Sequence, residues 1–218
     1  MARGRSVRAR VEPAAFALGS ACFAVAAIPV LADAIGAIAT NAIFFAGSVL
    51  FTTGAALEQT RVGWSPRRSE PLDWWASAVQ LLGTLFFNVS TAVALAAAVP
   101  AGAQGGTGWR PDVFGSACFL LSSALAVRAA RLPEGRSREA RSPDERREAA
   151  LNFAGSVLFG ISAVGAFIRP ATGQELSASW TDLGTFGGAL LFLAAAGMSG
   201  GWTAGRGADR LRDRPSSR

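Results

Sequence analysis

Gln80, Thr84, Asn88 and Thr91 fall at i, i+4, i+8 and i+11, which places two amides and two hydroxyls on one stripe of a helix. Shorter sets recur further along: Asn41, Ser48 and Thr52; Asp112, Ser116 and Ser123; Asn152 and Ser156; Asp182 with Thr185. Such groups donate and accept hydrogen bonds, so two chemistries are open to them. They can tie helices to one another, worth under about 1 to 2 kcal/mol each in an apolar medium, or they can line a path for a polar solute.

The chemistry excluded is as informative. The chain has no His, its two cysteines (Cys22 and Cys118) lie inside apolar runs, and its acids sit mostly at the edges of those runs. That removes the commoner metal sites and the Ser-His, Cys-His and zinc-hydrolase arrangements. The expectation is a protein that is not an enzyme, with no catalytic residues, no metal and no cofactor.

The elements that must hold these side chains are long apolar runs. Six are long enough to cross a hydrocarbon core of about 30 Å at 1.5 Å per residue: Pro13 to Ala32, Ile38 to Leu57, Trp74 to Val99, Val113 to Ala130, Leu151 to Ile168 and Leu183 to Trp202. The expected fold class is all-α, a polytopic membrane bundle of six transmembrane helices. Amides this deep in hydrocarbon must find partners, so Gln80 and Asn88 face protein or water.

All 21 basic residues are arginine, and 19 of them fall in segments on one side of this map; only Arg110 and Arg169 fall on the other. The positive-inside bias then predicts a bacterial cytoplasmic membrane protein with both termini in the cytoplasm. Trp64, Trp74, Trp75, Trp109, Trp180 and Trp202 all lie in connectors or at span ends, where indole prefers the interface. A secretory signal ending near Ala32 to Ala34 is a competing reading of the N-terminus.

Each span carries Gly, a small residue, two variable residues and Phe: Gly19 and Phe23, Gly47 and Phe51, Gly83 and Phe87, Gly115 and Phe119, Gly155 and Phe159, Gly188 and Phe192. Small residues let helix backbones approach, so the six glycines are expected at helix-packing seams. GSACF at Gly19 recurs at Gly115, FAGSVLF at Phe45 recurs at Phe153, and LGT at Leu82 recurs at Leu183, in the same order. Spans one to three therefore match four to six, and an odd span number per half makes the relation an inverted 3+3 repeat, as recurs in channels and transporters. For the third pair, the LGT and Gly-to-Phe registers compete.

This divides the chain into an Arg-rich cytoplasmic tail (1–12), a first three-helix repeat (13–100), an outer loop (101–112), a second repeat (113–202) with a cytoplasmic connector at 131–148, and a disordered cytoplasmic tail (203–218). Ser142 with Pro143, Asp144 and Glu145 reads as a helix start running into span five. Asp112 and Asp182 read as N-terminal caps, Pro29 as a bend in span one, and Cys22 and Cys118 as packing residues rather than a disulfide. The expected partners are the lipid bilayer and anionic headgroups at the cytoplasmic face, with homo-oligomerisation open and no nucleic acid.

With its GSVLF and GSACF helices, "WWASAVQLLGTLFFNVST" (Trp74 to Thr91) and "WRPDVFGSACFL" (Trp109 to Leu120), the chain resembles YrhK-like bacterial membrane proteins across most of Pro13 to Trp202. The resemblance implies membrane location and architecture, and brings no activity or site residues. The functional expectation is channel-like or transporter-like passage of a small solute along the Gln80, Thr84 and Asn88 stripe; the alternative is a non-transporting membrane scaffold that binds lipid or a partner.

Overall fold

In the computed structural model the described residues are 2–66, 71–99, 111–132 and 141–212, with side chains described from 10 to 199 within those ranges. They form six helices: α1 (Ala2–Ala26), α2 (Pro29–Val62), α3 (Pro71–Ala98), α4 (Pro111–Arg131), α5 (Pro143–Gly165) and α6 (Ala178–Arg212). No strand occurs among the described residues beyond one isolated bridge, Ile168 with Glu175, in the α5–α6 connection. The outer loop at 101–110, the middle of the connector at 133–140 and the end of the chain at 213–218 lie outside the described residues.

Local sequence explains where the helices start and bend. Four of the six begin on proline, whose missing N–H and fixed φ suit the first helical position. Pro29 is one of these: it opens α2 after the two-residue turn Ala27–Ile28 instead of bending span one. The bend comes later, at Gly36, whose φ of 81° and ψ of 164° only glycine adopts without strain. At α5 the Ser142 hydroxyl accepts from the Glu145 N–H while the Glu145 carboxylate accepts from the Ser142 N–H, a capping box.

Two expectations at helix ends are corrected. α6 starts at Ala178, with the Ser177 hydroxyl accepting from the Trp180 N–H, so Asp182 lies one turn inside the helix and Ser177 holds the capping position. At its far end α6 runs on to Arg212, so 203–212 is helical where a disordered tail is expected from the sequence.

Helices α2, α3, α4, α5 and α6 are each long and apolar enough to cross a membrane. In α1 the apolar part runs only from Pro13 to Ala26. The distribution of side chains is the reverse of a water-soluble bundle. Leu18, Val30, Val93, Leu121 and Leu183 point outward, from 53% to 80% exposed, whereas Ser20, Ser48, Thr84, Ser122 and Ser156 are at most 1% exposed. An outer surface of large aliphatics around an interior of hydroxyls suits a lipid surrounding.

Each helix packs on its neighbours in sequence, and α6 closes on α1, giving a ring of six. Within α1–α2, α3–α4 and α5–α6 the partners cross at a pair of glycines. A Cβ built on Gly19 would lie 3.0 Å from the Gly47 carbonyl oxygen; on Gly115, 3.1 Å from that of Gly83; on Gly155, 3.1 Å from that of Gly188. The residue after each of the six glycines (Ser20, Ser48, Thr84, Ser116, Ser156, Ala189) is no more than 3% exposed. Glycine makes the crossing, and the small residue after it is buried, at Ser48 and Ser116 against the other neighbouring helix.

The phenylalanine ending each repeat reaches the centre. Phe23, Phe87 and Phe159, from the odd-numbered helices, form one triangle with centroid separations of 6.1, 5.8 and 5.9 Å. Phe51, Phe119 and Phe192, from the even-numbered helices, form a second, with separations of 6.3, 5.9 and 5.9 Å. The triangles are stacked through Phe23–Phe51, Phe87–Phe119 and Phe159–Phe192 at 5.6, 5.1 and 5.5 Å. All six phenylalanines of the Gly-to-Phe spacing meet in this cluster, Phe87 of α3 and Phe192 of α6 included.

Candidate functional site: a one-sided vestibule

A cavity of about 660 Å³ opens between the helices at the end of the ring that carries the α2–α3 and α4–α5 connections, and it ends on Phe51, Phe119 and Phe192. Its wall follows from helix periodicity. Two turns, or seven residues, from each cluster phenylalanine towards this end stand Phe16, Glu58, Gln80, Ala126, Asn152 and Ser199, and all six line the cavity. Four of them carry polar side chains, at a depth of about 10 Å from the aromatic floor.

Nearer the mouth the lining is charged: Glu12, Arg61, Asp73, Arg141, Glu145 and Glu148. Arg61 donates through Nε and Nη2 to the two carboxylate oxygens of Glu12, at 3.2 and 3.1 Å, and lies 3.9 Å from Glu58. This joins the middle of α1 to the last turn of α2. Arg141 donates to both carboxylate oxygens of Asp73, joining the residue ahead of α5 to the first turn of α3. Among the described residues of the lining, five carboxylates face two guanidinium groups, an acidic excess.

Among the described residues, the opposite end of the ring is drawn together by hydrogen bonds across three of its seams. Ser48 and Thr91 share a hydroxyl hydrogen bond of 2.9 Å between α2 and α3, and Asn88 Nδ2 donates to Thr52 Oγ1 at 2.8 Å beside it. Ser116 donates to the Phe159 carbonyl at 3.3 Å between α4 and α5. Ser162 bonds Thr185 at 2.7 Å and donates to the Thr181 carbonyl at 2.8 Å between α5 and α6. Ala27, Ala163, Ala166 and Ala189 are buried around these contacts.

The polar stripe of α3 is therefore divided by the aromatic cluster. Gln80 lines the cavity and accepts from the Ser122 hydroxyl at 3.3 Å. Thr84 is fully buried and donates to the Leu81 carbonyl of its own helix. Asn88 and Thr91 stand beyond Phe87, bound to α2. Asn152 and Ser156 line the cavity, with the Ser156 hydroxyl on the Asn152 carbonyl at 2.8 Å. Asn41 donates to Ala37 within its own helix, next to the Gly36 bend.

The six glycines lie at the crossings, and a Cβ on Gly47 or Gly83 would come within 2.9 Å of Cys22 or Cys118 Cβ. Both cysteines are free thiols. No group of three or more His, Cys, Asp or Glu able to hold a metal occurs among the described residues.

No family model, curated protein or solved structure matches the chain. The site is interpreted on its own geometry.

Sequence reasoning missed Glu58, Glu12 and the two ion pairs. Ending span two at Leu57 put Glu58 outside the bundle, whereas α2 continues to Val62. The signal was available: Glu58 lies seven residues after Phe51, as Asn152 lies seven before Phe159 and Gln80 seven before Phe87.

Proposed function

We propose that this is an integral inner-membrane protein of channel-like or transporter-like function, whose vestibule admits a small polar solute from the cytoplasmic side. The observation that carries the reading is the 660 Å³ cavity with Glu58, Gln80 and Asn152 along its depth, open at one end of the ring and closed at the other. Polar side chains facing a water-accessible cavity inside an apolar-surfaced bundle mark a solute path more often than a packing seam. The acidic excess of the lining favours a solute bearing positive charge.

Arginine placement supports the orientation: 19 of 21 arginines lie on one side of the map, the side the positive-inside bias assigns to the cytoplasm with the open mouth and both termini. Paired GSACF and FAGSVLF segments favour an inverted relation between the halves, in which exchange of open and closed ends is the route across the membrane. The YrhK-like resemblance supports the location and adds no substrate. The chain is not an enzyme in this reading, and its standing partners are the bilayer and anionic headgroups beside the arginines.

The test is uptake into reconstituted vesicles across a panel of small cations, neutral polar solutes and anions. Cation uptake that falls several-fold in Glu58→Gln is expected. Absence of flux for every solute by folded protein contradicts the proposal. It would favour the second reading, a non-transporting scaffold, for which the interhelical bonds Asn88–Thr52 and Ser48–Thr91 speak.

A further inference from the structure

The vestibule ends on an aromatic floor, and the space directly behind that floor is very small. Between Phe23, Phe51, Phe87, Phe119 and Phe159 lies a void of about 10 Å³, whose one polar neighbour is Ser48. The Ser48 hydroxyl is already engaged, donating to the Phe45 carbonyl at 2.8 Å and bonded to Thr91. A void must offer roughly 10 to 15 Å³ and two to four polar partners to hold one water, so this one stays dry. A dry aromatic constriction on the axis of a helical ring stops ions and polar solutes by refusing them hydration.

We propose that the two phenylalanine triangles form a hydrophobic gate, with Phe51, Phe119 and Phe192 as the leaf that yields. The leaves differ in their freedom to move. Five of the six rings are 4 to 7% exposed and Phe192 is partly buried; the difference lies in what each triangle faces, the hydrogen-bonded end of the ring beyond Phe23, Phe87 and Phe159, and the open cavity against Phe51, Phe119 and Phe192. Rings of the second triangle have somewhere to swing; those of the first do not.

The contacts also fit a latch. Nine ring pairs at 5.1 to 6.3 Å build the cluster, three within each triangle and three between them. Edge-to-face and offset ring pairs attract one another beyond the area they bury, so the closed arrangement holds until several pairs part together. The gate deepens the solute-passage reading and rests on it for its purpose, while its existence as a barrier is testable without any flux.

The experiment places one cysteine on either side of the leaf, Asn152→Cys in the vestibule and Ser48→Cys beyond it, in a Cys22→Ser, Cys118→Ser background. A charged methanethiosulfonate is applied to membrane vesicles from the side that labels Asn152→Cys. With all six rings present, Asn152→Cys reacts and Ser48→Cys does not. Adding Phe51→Ser and Phe119→Ser brings the Ser48→Cys rate up at least tenfold while Asn152→Cys keeps its own.

Reaction of Ser48→Cys behind intact rings at the Asn152→Cys rate overturns the gate. So does silence of Ser48→Cys behind the substituted leaf while Asn152→Cys still reacts. Where the double substitution costs the helical fold, Phe192→Ala takes its place under the same two criteria. A reactive Ser48→Cys behind the substituted leaf, in a protein whose wild type passes no solute, supports the gate and defeats the transport reading.

Discussion

The same six helices meet water differently at their two ends. At the arginine-bearing end, the positions two turns from the central phenylalanines include Glu58, Gln80, Asn152 and Ser199, and the helices stand apart around a cavity. At the other end the inward positions are Ala27, Ser48, Thr91, Ser116, Ser162, Ala163 and Ala189, and the helices close through hydroxyl hydrogen bonds. The repeat is common to both ends. What differs is side-chain size and hydration: carboxylates and amides keep water, whereas alanine and serine or threonine already bonded within the bundle allow helices to touch.

The comparison is broken most severely at the level between the two ends. Gly188→Leu places its first side-chain carbon 2.6 Å from the Phe159 ring, at the crossing of α5 with α6. A loss of about 1 to 3 kcal/mol or more is expected from such overpacking, read as a lower thermal midpoint in detergent. Gly197→Leu is the matched control: nothing lies within 4 Å of its added carbon, and the midpoint should move little.

A smaller effect is expected at the open end. Arg141 and Asp73 are about a quarter exposed, so their pair is neither fully screened nor deeply buried. Arg141→Ala should cost about 1 kcal/mol, a loss that shrinks as salt is raised; a salt-independent loss would assign the effect to packing. The smallest effect is expected at the closed end. Asn88→Leu deletes the bond to Thr52 and also removes a buried amide oxygen that lacks a partner. The two changes oppose one another, and a midpoint within about 1 kcal/mol of wild type is expected.

Much of the framework was legible in the sequence, because length, apolarity and the Gly-to-Phe spacing are local properties. The spacing located the six glycines and, through Phe23, Phe51, Phe87, Phe119, Phe159 and Phe192, the centre of the ring. The signal at Ser142 to Glu145 gave the start of α5. Less legible was anything set by what a helix packs against. The α3 stripe looked continuous from Gln80 to Thr91, since helical periodicity does not record that six rings converge at the level of Phe87. Glu58 looked like a span edge because a carboxylate ends an apolar run, although a helix inside a ring continues where its inner face meets water.

The most direct test of the central claim, a vestibule open at one end only, compares Gln80→Cys with Ser162→Cys in a background lacking Cys22 and Cys118. A charged thiol reagent is offered to each side of the membrane in turn. Gln80→Cys should react from one side, the cytoplasmic one, and Ser162→Cys from neither. Equal reaction of the two, or reaction of Ser162→Cys from the side opposite to Gln80→Cys, would contradict it.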